Sequence, residues 1–522
     1  MNNNNSLTDR LLRNTFYNTA GKLWEIAVSL FLAPYIIHHI GIELFGIWII
    51  ILTVTYFLDF FEFSITSPIV KYISEYYSQN KTKKLYDLIN TTLCSYFFVS
   101  FSCSVIGIMC SPLILKLFNV QTEFIHAALF ALKLSFIIFS LTNIFLMFNS
   151  VLRGLQLMDI SNKIFISNTI VRIIGVIIVL NLNFGLRGLA SAMLIEILFG
   201  LTVVVWITAR KLPGIYFNPF RFNISLFKML FKFGSKLHAG KIAFLISFHF
   251  DKFLLARWVS ITSVGFYELG SKICFTARRI ATLAISAFLP VISEADASKD
   301  ERILYELYAR GLKYLAFASC AFFLFLLYNA DLIFAAWLKN QYAQSAFILQ
   351  ILCFGYFCNS MILGITIFVI GIGKPEIEMK YNLFVTLVNI LLSVTLVILC
   401  GLPGIVIGTS SALILGSIYY LHLLKKNTSF PISLIFKALK IPLIASAVSL
   451  AAIIPFNYFD FSSPVYNSRI HDLTALGIRG IVYTAVFLLT ALKLGILDDK
   501  DKWVIKTLIF KRFFPILLKK NT

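Results

Sequence analysis

Charge is scarce in this chain. Asp, Glu, Lys and Arg make up only 14% of its 522 residues, while 59% are hydrophobic. A soluble protein of this size needs far more charge to cover its surface, so the composition points to a polytopic membrane protein. Acids are scarcest, at 25 against 46 Lys and Arg, which leaves a formal charge of +21. That excess could suggest nucleic acid as a partner. The cations lie between apolar segments rather than on one soluble face, which excludes it. The eight cysteines all fall within apolar stretches and none forms a CxxC pair, so they read as reduced packing residues. No G-x4-GK[ST] occurs, so the chain has no visible ATPase. No cleavable signal peptide is visible either. Met1 to Asp9 is polar, and the apolar stretch after it is long enough to span.

What is abundant is apolar sequence of spanning length. Such segments recur near 16–40, 43–66, 85–110, 124–151, 164–182, 186–208, 232–258, 262–290, 308–330, 345–370, 380–400, 404–424, 435–456 and 473–493. This predicts an all-α polytopic membrane protein with about 14 transmembrane helices. With the N-terminus inside, the inner segments hold about 29 Lys and Arg and the outer loops about 5. Both termini are therefore expected to be cytoplasmic.

The chain also echoes itself. Leu44-Phe45-Gly46-Ile47-Trp48 is answered by Ser263-Val264-Gly265-Phe266-Tyr267, and Asn183-Phe184-Gly185 with Gly188 by Gly401 with Gly404. Both echoes lie about 216 to 219 residues apart, which suggests a six-helix unit used twice in the same orientation. The expected division is an N-terminal six-helix bundle at 1–215, a second at 216–428, two additional helices at 429–495, and a tail at 496–522. The tail is basic and amphipathic, suited to the anionic inner leaflet.

Ionised side chains within spans are costly and usually face a partner or a watery cavity. Four helices carry them in stripes. Asn14, Asn18, Gly21, Lys22 and Glu25 share an arc of about 100° on the first helix, and Asp59 and Glu62 lie within about 60° on the second. His238, Lys241, His249 and Lys252 span about 80° on the seventh, and Glu268, Lys272 and Arg279 about 40° on the eighth. If the repeat holds, the seventh and eighth helices are copies of the first and second. The four would then line one cavity, which Lys133 and Arg172 would extend.

Plainer readings stand beside this one. Lys232, Lys236 and Arg257 lie near helix ends, where they can snorkel to the interface. Glu268 with Lys272, at i and i+4, and Lys22 with Glu25 can neutralise one another as structural pairs. The histidines suit hydrogen-bonded wall positions better than metal ligation, since no H-x3-H or carboxylate–His spacing occurs. No metal and no cofactor is expected. Lys241 has no acid at i±3 or i±4 and is the hardest cation to dismiss.

Gly41-Ile42-Glu43-Leu44-Phe45-Gly46-Ile47-Trp48, followed by Glu62-Phe63-Ser64-Ile65 leading to Lys71-Tyr72, resembles the first helices of the bacterial polysaccharide flippases. These are the O-antigen or repeat-unit flippases of the multidrug/oligosaccharidyl-lipid/polysaccharide exporter superfamily. Val264-Gly265-Phe266-Tyr267 and Phe288-Leu289-Pro290 are similar to the same family. Glu62 and Ser64 depart from its usual acid and glycine.

The resemblance implies a multidrug-exporter-like (MATE-like) fold of two six-helix bundles working by alternating access. The implied cargo is an oligosaccharide on a polyprenyl pyrophosphate of the undecaprenyl type, moved from the cytoplasmic to the periplasmic leaflet of the inner membrane for O-antigen or other surface polysaccharide. A polysaccharide polymerase and a chain-length regulator are the implied partners. In related flippases the helices after the twelfth form a groove for the lipid tail, which would correspond to residues 435–493.

On this reading Lys22, His238, Lys241, His249, Lys252, Lys272 and Arg279 bind the anionic head group. Glu25, Asp59, Glu62 and Glu268 are the candidates for ion or proton coupling. The chain is then not an enzyme. Two alternatives stay open: a cation-coupled multidrug exporter of the same fold, and a membrane glycosyltransferase or polymerase. The second needs acids or histidines in sizeable loops, whereas here they lie within spans.

Overall fold

The computed structural model describes residues 3–58, 66–218, 220–286, 288–338, 342–457, 469–498 and 501. For residues 3–20, 22, 67, 233–234, 236–241, 244, 283–284, 286 and 290 it describes only the backbone. Among the described residues there is no strand. The elements are α1 (Asn3–Phe57), α2 (Thr66–Ser78), α3 (Thr82–Leu117), α4 (Ile125–Gly154), α5 (Met158–Asn181), α6 (Gly185–Lys211), α7 (Ile224–Trp258) and α8 (Ile261–Ser286). They continue with α9 (Leu289–Ala297), α10 (Glu301–Tyr328), α11 (Ala330–Leu338), α12 (Ala343–Gly371), α13 (Glu376–Cys400), α14 (Leu402–Asn427), α15 (Ser433–Ile453) and α16 (Arg469–Lys493).

Eleven of these helices are long and apolar enough to cross a membrane. Helix α1 supplies two of the expected spans. It breaks at Gly41 (φ 78°, ψ 167°), a conformation open to glycine but not to residues with a Cβ. Helices α7 and α8 are as long but carry the charges discussed below. With them, every expected span finds a helix, and the protein is an all-α polytopic membrane protein. The short helices α2, α9 and α11 were not expected. The second limb of α1 is described to Phe57, and residues 59–65 of the expected 43–66 lie outside the described residues. The eight cysteines are free, and Cys400 is exposed rather than packed.

By contacts the chain forms two compact units, 1–276 with 375–420, and 277–374 with 421–522. They cut across the expected division at 215/216, which follows repetition in the sequence rather than contact. In the first unit a core of Ile69, Leu88, Phe148, Val151 and Val204 joins α2, α3, α4 and α6. Hydroxyls tie α3 to α4, with Ser104 and Ser140 2.6 Å apart and Ser140 donating to the Ser100 carbonyl at 2.8 Å. The connection between α6 and α7 is strapped to the start of α3. Tyr86 donates to the Pro213 carbonyl at 2.9 Å, the Asn218 amide donates to Asn90 at 2.8 Å, and Arg221 pairs with Asp87 at 2.7 Å.

The echoed glycines lie at one helix crossing in this unit. A Cβ on Gly46 would lie 2.2 Å from the Ile261 carbonyl oxygen, and one on Gly265 would lie 2.9 Å from the Ile42 carbonyl oxygen. The contact is reciprocal, because equivalent positions of the two copies exchange roles at one offset of 219, from 42 to 261 and from 46 to 265. Small residues let helix backbones approach this closely in membranes.

In the second unit α15 and α16 pack on α10 through Phe317 against Phe487 (ring centroids 4.8 Å) and Phe325 against Tyr483 (5.2 Å). Two arginines of α16 satisfy carbonyls that helix ends leave open. Arg469 donates to the Ala336 and Trp337 carbonyls at 3.1 and 3.0 Å, and Arg479 donates to Phe456 at 3.2 Å.

After α16 the chain folds back on α10. Asp501, 2% exposed, accepts hydrogen bonds from Lys313 and Tyr314, and Asp498 lies 3.7 Å from Arg310. Burial alone would push the Asp501 carboxyl up, but the hydrogen bonds from Lys313 and Tyr314 outweigh it and hold the group below its ordinary range. A depressed folded value stabilises the protein above the unfolded pKa, about 3.9. That contribution is lost as pH falls through the folded value. Asp501→Asn is expected to lower stability at neutral pH by about 1 to 3 kcal/mol, and the gap to wild type should close in acid. Thermal unfolding of the detergent-solubilised protein between neutral and acid pH checks this.

Candidate functional site

The charged helices form a hairpin. Asn223 caps α7, accepting from the Ser225 and Leu226 amides at 3.0 and 3.2 Å, and Ser260 begins α8 by accepting from the Ser263 amide at 3.1 Å. A turn this short sets residues equally far from it against one another. Lys252 meets Glu268, Nζ to Oε2 at 2.7 Å, with side chains only 8% and 16% exposed. One residue earlier on each helix, Asp251 accepts from the Tyr267 hydroxyl at 2.6 Å.

Around the Lys252–Glu268 pair lie further charges. Lys272, one turn beyond Glu268, feels Glu268, Lys252 and Arg172 electrostatically. His249, half-buried one turn before Lys252, has its ring centroid 5.2 Å from that of Tyr56 on α1, and its buried Nδ1 has no hydrogen-bond partner among the described residues. Arg172 of α5 stands 3.9 Å from Glu196 of α6. The structure thus gathers His249, Lys252, Glu268 and Lys272 from the expected set and brings Arg172 within their electrostatic reach. Glu268 makes its short ion pair with Lys252 across the hairpin, so the i,i+4 pairing with Lys272 is not the closest one.

Other expected residues fall elsewhere. Glu25 is half-buried on α1, and Arg279 is half-buried near the end of α8, in the second unit. Lys232 and Arg257 are exposed, and the side chain of Lys236 lies outside the described residues. Asp59 and Glu62, and the side chains of Lys22, His238 and Lys241, lie outside the described residues. Among the described residues no group of His, Cys, Asp or Glu is placed to hold a metal ion.

Two acids had no role assigned to them from the sequence. Asp251 is fully buried and accepts a second bond, from Thr409 of α14, at 2.6 Å. It lies about 100° around α7 from Lys252, so it belongs to no stripe and faces other helices instead. Asn389 of α13 reaches the same Thr409 hydroxyl at 3.3 Å, which makes Asp251 the centre of a polar junction of α7, α8, α13 and α14. Glu196 stands as a single acid in an otherwise apolar helix, a signal that was legible. Tyr267, part of the echoed segment, is buried and committed to Asp251.

A sequence profile of the polysaccharide biosynthesis protein family matches residues 11–296, and a MatE profile matches residues 239–395. No curated protein matches the sequence. Among solved structures, the lipid II flippase MurJ in an inward closed conformation superposes with a TM-score of 0.72 at 17% identity, covering 92% of this chain and 98% of that one. An inward-facing multidrug resistance MATE family transporter of the MOP superfamily superposes at 0.66 and 15% identity, covering 78% and 96%. The Vibrio cholerae MATE transporter VcmN, in its bent form, does so at 0.53 and 15%, covering 84% and 98%. At these identities the likeness shows the fold. The profile match spans more than half of the sequence, and the chain belongs to the polysaccharide biosynthesis protein family.

Proposed function

We propose that this protein is a flippase that carries an oligosaccharide linked to a polyprenyl pyrophosphate from the cytoplasmic to the periplasmic leaflet of a bacterial inner membrane. The observation that carries the reading is the cluster of cations, a buried Lys252 and a half-buried Lys272 with Arg172 in reach, built into membrane helices. Such cations are tolerated where they meet an anion, and a pyrophosphate offers one. The lipid tail stays in the bilayer while the head group crosses, so the protein moves its substrate and does no chemistry on it. Lys22, His238, Lys241, His249 and Arg279 are proposed to complete the basic lining. Glu25, Asp59, Glu62 and Glu268 are proposed for ion coupling.

The reciprocal contacts of Gly46 and Gly265 support a duplicated six-helix unit, which we place over 1–215 and 216–428. Residues 429–495 and the basic tail are proposed as additions to it, and the distribution of Lys and Arg supports cytoplasmic termini. Surface polysaccharide assembly, with a polymerase and a chain-length regulator downstream, is the proposed setting. A multidrug exporter of the same fold is favoured by the MatE match, but organic cations call for free acids, and here Glu268 and Glu196 each already face a cation.

Purified protein in liposomes carrying a labelled lipid-linked oligosaccharide tests the reading. Head groups are expected to move to the opposite leaflet, and Lys252→Ala is expected to slow this by about tenfold or more. No movement by wild type, or chain elongation by the purified protein alone, would refute it.

A further inference from the structure

The Lys252–Glu268 pair presents a difficulty for any anion that is to bind there. Lys252 is 8% exposed and its ammonium is held 2.7 Å from a carboxylate, so it already has an anionic partner within the protein. Glu268 stands between two cations, Lys252 across the hairpin and Lys272 one turn along α8. The other groups facing it are His249 of α7 and, through Lys272, Arg172 of α5 with its partner Glu196 of α6. Tyr56 of α1 covers His249, and Asp251 faces away into Tyr267 and Thr409. Among the described residues Glu268 is thus the only carboxylate at ion-pair distance from Lys252, which Asp251 feels electrostatically.

We infer that Glu268 is an internal counter-anion, which closes Lys252 in the empty protein and is displaced by the pyrophosphate of the substrate, taking up one proton as it leaves. The inference rests on the proposed flippase reading and adds a rule for how the site loads. A pyrophosphate diester brings two negative charges and several acceptor oxygens, so it can engage Lys252 and Lys272 together where a single carboxylate engages one closely. Once Lys252 turns to the phosphate, Glu268 is left in a poorly solvated place beside an anion. Both burial and like charge then favour its neutral form. The balance is simple: one carboxylate and one proton from solvent give one carboxylic acid, and no other bond changes. On release the proton leaves and the pair closes again. The empty carrier then returns with Lys252 neutralised from within, which spares it an unpaired charge in the membrane.

The test is calorimetric titration of the full-length protein in detergent at neutral pH with a short-chain prenyl-pyrophosphate-linked sugar. Two buffers of different ionisation enthalpy are used, and the diester probe has no ionisation of its own in this range. The wild type is expected to take up about one proton per probe bound, a count that needs no variant. Glu268→Gln is expected to bind about tenfold tighter, because its internal competitor is weakened, and to take up no proton. Wild-type binding without proton uptake overturns the inference and leaves the flippase reading standing, as does weaker binding by Glu268→Gln with its fold intact. Failure of the wild type to bind overturns the flippase reading and the inference with it.

Discussion

Lys252→Met is expected to destabilise the protein by about 3 to 5 kcal/mol, the usual cost of stranding one member of a buried ion pair. Glu268 would keep a side chain only 16% exposed and lose the ammonium now 2.7 Å away. The double variant Lys252→Met/Glu268→Leu removes both charges and fills similar volume. It is expected to recover most of that loss, because replacing a whole buried pair by apolar groups is often neutral or stabilising. The two roles of Lys252 then separate. Thermal unfolding in detergent should place the double variant near wild type, while head-group movement in liposomes should stay lost in both. If the double variant flips substrate at the wild-type rate, the pair is a structural staple and the site lies elsewhere. If it is as unstable as the single variant, the pair does not act as a unit.

The second large effect is expected from a single methyl group. In Gly46→Ala the new Cβ would meet the Ile261 carbonyl oxygen at 2.2 Å and its carbon at 3.0 Å. The obstacle is backbone, so no rotamer change relieves it and the second limb of α1 must move away from α8. Over-packing at such a crossing typically costs about 1 to 3 kcal/mol, and the hairpin that presents Lys252 and Glu268 moves with α8. Gly46→Ala should therefore lower both thermal stability and the flipping rate. Gly265→Ala should do the same, since the Ile42 carbonyl stands 2.9 Å from its Cβ position. Gly477→Ala is the control, because nothing lies within 4 Å of a Cβ there. A stable, fully active Gly46→Ala would show that α1 and α8 do not need this approach.

Much of the site was legible because the signal is local. An ionised residue in an apolar helix stands out against its neighbours, and the helical period says which others share its face. That is why His249, Lys252, Glu268 and Lys272 could be named from sequence, and they do come together. Helical periodicity gave Asp251 no place. It lies off the stripe, and its acceptor bonds reach Tyr267 and Thr409, the latter 158 positions away in the chain. It also left the partner of Glu268 open between Lys272 at i+4 and a residue from another helix. Spacing along one helix has no information about the helix beside it. Arg469 and Arg479 are a similar case: they read as ordinary loop and helix cations, yet they close carbonyls of segments 23 to 133 positions away.

The sequence by itself determined the membrane class, the helical architecture and the striped faces, since hydropathy and periodicity are properties of each segment alone. The echo of Gly46 in Gly265 was also visible there, but not its purpose. Tertiary structure decided that these two glycines seat α1 against α8, that Lys252 rather than Lys272 holds Glu268 at hydrogen-bond distance, and that Asp251 joins four helices. Each of these depends on which helix lies beside which, and at what height. That is set by the packing of whole helices against one another, which no single segment encodes.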